Sequence, residues 1–159
     1  MKNQRGFLTI EIILVVLIIS VLTTLVVPNM ARMVDVAQVD YEMKFLLSQI
    51  DYARSLNKNI HYNPEIFNYT LSLDNGHQLK INIDEHLNRY TIVQNGKDFS
   101  EPHELPQDFL ISCEKNLPNQ IIAGESYSGH IKISSRYKVN RYLICNSVGR
   151  WRGDITPPK

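Results

Sequence analysis

One apolar run limits what this chain can become more than anything else in it. From Phe7 to Val27 only Thr9, Glu11, Ser20, Thr23 and Thr24 are not apolar. At about 1.5 Å of rise per residue the run makes a helical rod of roughly 31 Å, the thickness of a hydrocarbon core of about 30 Å. Lys2 and Arg5 stand before it and hold its start on the cytoplasmic side. The run is longer than the core of a secretory signal, and no small-residue cleavage site is evident behind it. The reading is a single membrane-spanning helix with the remainder of the chain outside the cytoplasm.

The chain has 159 residues, enough for an anchor and one modest head with a single core. Three parts follow: a polar, basic leader at 1–6, the spanning helix at 7–28, and a head at 29–159. Beyond Pro28 the helical pattern resumes and becomes amphipathic. Val36, Val39, Met43, Leu46, Ile50, Ala53 and Leu56 fall at steps of three and four, with Asp35, Asp40, Glu42, Lys44, Asp51 and Arg54 between them. One long helix of about fifty residues is implied, loosened near Pro28, where an amide donor is missing. Its second half supplies one wall of the head's core.

After Asn63-Pro64 the period changes. Phe67 to Leu73 alternates at period two, the turn residues Asp74-Asn75-Gly76 follow, and Leu79 to Ile83 alternates again, which predicts a hairpin. Further strands are expected at Arg89–Gln94, Gln107–Cys113, His130–Ser134 and Tyr137–Asn146. The expected class is α+β: a long N-terminal helix packed on an antiparallel meander.

Residues able to carry chemistry do not converge. The histidines at 61, 77, 86, 103 and 130 lack metal-ligand spacing, no serine sits in a nucleophile elbow, and no glycine-rich loop follows a strand. Neither an enzyme, a metal site nor a bound cofactor is expected. Cys113 and Cys145 lie in the part placed outside the cytoplasm, where a disulfide can form; a bridge and two buried thiols both fit their spacing.

Charge is distributed unevenly. Residues 35–125 carry a net −7 and residues 130–159 a net +6, although the whole chain is +1. In the basic segment Lys132, Arg136, Lys138, Arg141, Arg150 and Arg152 alternate with Tyr137, Tyr142 and Trp151, residue types that contact phosphates and stack on bases. In an extended strand Lys138 shares a face with Tyr142, whereas Arg141 shares the other with Leu143 and Cys145. The alternative reading is that the same residues are solvated strand edges and turns that discourage pairing with another chain.

The stretch Gly6-Phe7-Leu8-Thr9-Ile10-Glu11, with the apolar run and Pro28, resembles the type IV prepilin signal, with Leu8-Thr9 in place of the usual Thr-Leu order. The resemblance implies cleavage by a prepilin peptidase between Gly6 and Phe7, methylation of the new Phe7 amine, and pairing of Glu11 with the amine of a neighbouring subunit. It also implies residence in a bacterial inner membrane before assembly with other pilins or pseudopilins. The helix segment from Leu46 to Asn59, including Ala53-Arg54, is similar to that of H-type minor pseudopilins and FimT-type minor pilins, with Leu56 or Asn57 where those often carry alanine. Gly149-Arg150-Trp151-Arg152 is similar to the C-terminal motif of FimT-type pilins that bind DNA in natural transformation. Two functions are therefore expected as alternatives. One is a minor pilin that contacts DNA through Gly149, Arg150, Trp151 and Arg152 with Arg136, Lys138 and Arg141 in support. The other is a structural minor pseudopilin of a secretion system that does not bind DNA.

Overall fold

A computed structural model describes residues 4–60 and 78–158. The apolar run and the amphipathic stretch behind it join in one helix, α1 (Gln4–Ile60), of 57 residues. The helix passes through Pro28 without interruption, even though the proline gives no amide to the preceding turn. Beside it, Asn29 Nδ2 donates to the Leu25 carbonyl at 3.1 Å. Inside α1 the chain divides into two units, Met1–Ala37 and Gln38–Lys159.

In the first unit, every side chain from Ile10 to Met30 is exposed. The hydroxyls in this stretch turn back on the helix. Ser20 donates to the Leu17 carbonyl and Thr24 to that of Val21, each at 2.8 Å, and Thr23 reaches the carbonyls of Ile19 and Ser20. Such bonds let hydroxyls enter an apolar environment without stranded donors. Glu11 is then the one charged side chain from Ile10 to Ala31.

In the second unit the burial pattern takes on a helical period. Val39, Leu46, Ile50 and Ala53 are fully buried, while Lys44 and Asp51 are exposed and Met43 and Leu56 half-buried. Among the described residues nine strands follow: β1 (Lys80–Asp84), β2 (Arg89–Gln94), β3 (Lys97–Asp98), β4 (His103–Glu104), β5 (Phe109–Glu114), β6 (Gln120–Ile122), β7 (His130–Ser135), β8 (Asn140–Cys145) and β9 (Trp151–Asp154). They form two antiparallel sheets. The first has the order β3-β2-β1-β6 with β4 also on β2, and the second has the order β5-β7-β8-β9.

The expected single meander is thus corrected to two sheets. β6 leaves its sequence neighbours and pairs with β1, bringing Ile121 opposite Ile81, both fully buried. The first strand of the predicted hairpin, Phe67–Leu73, and its turn lie outside the described residues. β1, its expected partner, is flanked on both sides by β2 and β6.

The two sheets are joined at a corner by side chains. In the turn between β1 and β2, Glu85 Oε1 accepts from the Cys113 amide at 2.6 Å and Asn88 Oδ1 from that of Ile111 at 3.4 Å. These amides belong to β5, the edge strand of the second sheet, so the turn occupies an edge that would otherwise offer unpaired donors. α1 is tied in as well. Asn57 Nδ2 donates to the Leu79 and Ala123 carbonyls at 3.1 and 3.0 Å, and its Oδ1 accepts from the Leu79 amide at 2.9 Å.

Cys113 and Cys145 are unbridged, which corrects the disulfide alternative. Cys113 lies on β5 opposite Ile131, and Ile131 lies opposite Leu143 on β8, two residues before Cys145. With β7 between them the two Cα atoms are roughly 10 Å apart or more, given a strand spacing of about 4.8 Å. A bridge needs less than about 7 Å.

Candidate functional site

Gly6 and Phe7 belong to the backbone of α1. Glu11 sits on the exposed surface of the same helix, within a stretch long and apolar enough to cross a membrane. A carboxylate there costs a few kcal/mol near the centre of a bilayer and less toward its surface, so its place near the start of the stretch is the cheaper one.

The second candidate region is the turn from β8 to β9. Asn146 closes it with backbone and side chain together: its amide donates to the Arg150 carbonyl at 2.9 Å, and its Oδ1 accepts from the amides of Val148 and Arg150 at 3.1 and 2.8 Å. Gly149 takes a left-handed φ of +71°, open to glycine at little cost. It is also wedged against the loop after β6, where a Cβ would lie 2.3 Å from the Gly124 oxygen. Trp151 turns inward, 7% exposed, with its ring centroid 6.3 Å from that of Tyr127. Arg150 and Arg152, on either side of it, both point to solvent. The Arg152 guanidinium is 3.9 Å from Asp154 with its side chain 74% exposed. Amides of Thr156 and Ile155 hold the Asp154 carboxyl below its ordinary range, with a smaller contribution from Arg152.

The other basic residues do not gather here. Arg136 and Lys138 occupy the turn between β7 and β8, where Lys138 has a φ of +58° and Arg136 lies 3.9 Å from Asp108. That turn is at the opposite end of β8, a strand of six residues, so about 20 Å separates the two groups. Arg141 is engaged in an ion pair with Asp40 of α1 and is only 12% exposed. Lys132 pairs with Glu114 at 3.3 Å. Of the seven residues expected at a DNA surface, four (Gly149, Arg150, Trp151 and Arg152) form one local structure. Arg136 and Lys138 lie elsewhere and Arg141 is committed to the helix.

Two histidine–carboxylate pairs went unread in the sequence. His103 Nε2 lies 2.8 Å from Glu42 Oε2, and His130 Nε2 lies 3.0 Å from Glu114 Oε2. The available signal was Glu42, a charged residue on the buried stripe between Val39 and Leu46, where a carboxylate must find a donor. Burial pushes Glu114 upward, but hydrogen bonds from Lys132 and His130 outweigh it and hold the carboxyl below its ordinary range. Burial pushes both cysteine thiols up, Cys113 to about 12 with help from the Glu85 carboxylate. Among the described residues no group of three or more His, Cys, Asp and Glu side chains could hold a metal ion. Compared with protein families, with curated proteins and with solved structures, the chain matches none.

Proposed function

We propose that this chain is a prepilin-like subunit, anchored by the first part of α1 in the membrane and assembled through it with other pilins or pseudopilins. The observation that carries this reading is the helix itself. Its exposed apolar stretch holds a single carboxylate, Glu11, one turn beyond the Gly6–Phe7 bond, and the same helix runs on into the head's core. A chain built this way keeps an apolar rod that only lipid or other such rods can cover. In a host with an active prepilin peptidase the mature chain is expected to begin at Phe7, and Gly6→Leu is expected to leave the leader in place. Intact-mass measurement decides it: mature protein that still carries residues 1–6 overturns the proposal.

The Arg150–Arg152 turn favours a second role, sequence-independent contact with DNA. Two exposed guanidinium groups on a turn fixed by Asn146 and Gly149 can engage backbone phosphates. With two phosphates engaged, the logarithm of affinity should fall with the logarithm of salt at a slope of roughly −2, and Arg150→Gln or Arg152→Gln should each remove about one unit of it. Lys97→Gln on β3 and Lys138→Gln, at the far end of β8, should leave binding unchanged. Titration of full-length protein in detergent against duplex DNA provides the measurement. Parent-like binding by both tail variants would leave the structural pseudopilin role.

A further inference from the structure

On the side of α1 that faces the first sheet, near the junction of β4 with β2, a cleft of about 310 Å³ opens among Phe45, Gln49, Tyr90, Ile92, Glu101 and His103. All belong to the second unit, and the inference is independent of the membrane and DNA roles. Tyr90 is 2% exposed, and its phenol oxygen is buried without a hydrogen-bond partner among the described residues. A buried hydroxyl left unsatisfied is uncommon and marks a place where something else can bind. Burial, followed by the nearby Glu42 carboxylate, raises the phenol's pKa, so the group remains a neutral O–H with oxygen lone pairs to offer.

The surroundings are aromatic and acidic. Phe45 and His103 have ring centroids 4.6 Å apart, and Tyr90 and His103 5.0 Å. Glu42, buried behind the ring of His103, is bound to its Nε2, and Glu101 lies exposed at the rim. Among the described residues no lysine or arginine lines the cleft. Ring faces and carboxylates together attract a cation, and a planar guanidinium suits them better than an ammonium because it stacks while donating in its own plane. The volume is at the lower end of the range for ligand sites, suited to one side chain more than to a cofactor.

We propose that this cleft receives a single arginine side chain presented by a polypeptide partner, with its guanidinium against Phe45 and donating to Tyr90 Oη and the Glu101 carboxylate. The charge pattern of the chain fits such a partner, since residues 35–125, which include every cleft residue, carry a net −7.

The test uses full-length protein in detergent and a fluorescent acetyl-Gly-Gly-Arg-Gly-Gly-amide, followed by anisotropy. The peptide should bind with an affinity that falls as salt rises, and its citrulline counterpart, neutral but of the same shape, about tenfold or more weaker. Tyr90→Phe and Glu101→Gln should each weaken the arginine peptide by about fivefold to tenfold. Glu104→Gln, on the opposite face of β4 from His103, should not. Glu101 is exposed, so its variant remains informative even if Tyr90→Phe lowers the melting temperature. Equal binding of the citrulline and arginine peptides overturns the proposal, as does parent-like binding by Glu101→Gln together with a folded Tyr90→Phe. Arginine amide should compete with the peptide, because every contact named is made by the side chain, and its failure to compete overturns the proposal.

Discussion

Gly149 shows how much one position can carry. A methyl group there meets a left-handed backbone, at a cost of about 1–2 kcal/mol, and the carbonyl of Gly124 at 2.3 Å. Gly149→Ala should therefore destabilise the head by at least about 2 kcal/mol, a drop of roughly 5–10 °C in melting temperature for a unit of this size. The chain has one tryptophan, and Trp151 is buried two residues away. Its fluorescence should shift to the red in the variant and follow unfolding directly, whereas an unchanged melting curve would show that the Gly124 loop yields freely. The tight bend at Gly149 and the placing of Arg150 and Arg152 on one side of the chain were legible from residue type and period two, but that Trp151 turns into the head and not outward onto a base was not. Nor was the fate of Arg141. Its partner Asp40 lies 101 positions away, and nothing local shows that the positive charge is already paired.

At the level of elements, legibility followed length and alternation. β2 alternates strongly enough to be read to the residue, and β5, β7 and β8 to within a few residues. β3 and β4 have two residues each and β6 has three, too few for any period to register. β9 was hidden by Gly153, whose lack of a side chain admits Met43 of α1; a Cβ there would lie 2.7 Å from the Met43 sulfur. The corner between the sheets was equally silent, although Glu85 and Asn88 carry it. Cys113 reports on that corner. Glu85→Gln keeps an acceptor for the Cys113 amide while removing the negative charge that helps raise the thiol's pKa. The thiolate fraction should therefore rise, and iodoacetamide should label Cys113 several-fold faster near pH 8.5. Cys145, on β8 and away from Glu85, should label at its parental rate. Peptide mass spectrometry gives both rates, and no acceleration at Cys113 would show that Glu85 does not govern it.

Over the whole molecule, the two-part plan of a long apolar N-terminal helix followed by an α+β head could be read from apolar length followed by a change of period. The division of the strands between two sheets could not, because pairing between β1 and β6 links segments that share no local signal. That pairing also governs how the head comes together. β6 lies in sequence between β5 and β7, which are neighbours in the second sheet, yet it completes the first. The chain begins one sheet, crosses to the other, returns to finish the first and crosses back. Closing the first sheet loops out β5 ahead of β6, and closing the second loops out β6 between β5 and β7. Such long-range closure is slow to nucleate and, once made, ties the strands into one cooperative unit, so the head should melt in a single transition with no half-folded sheet exposed along the way.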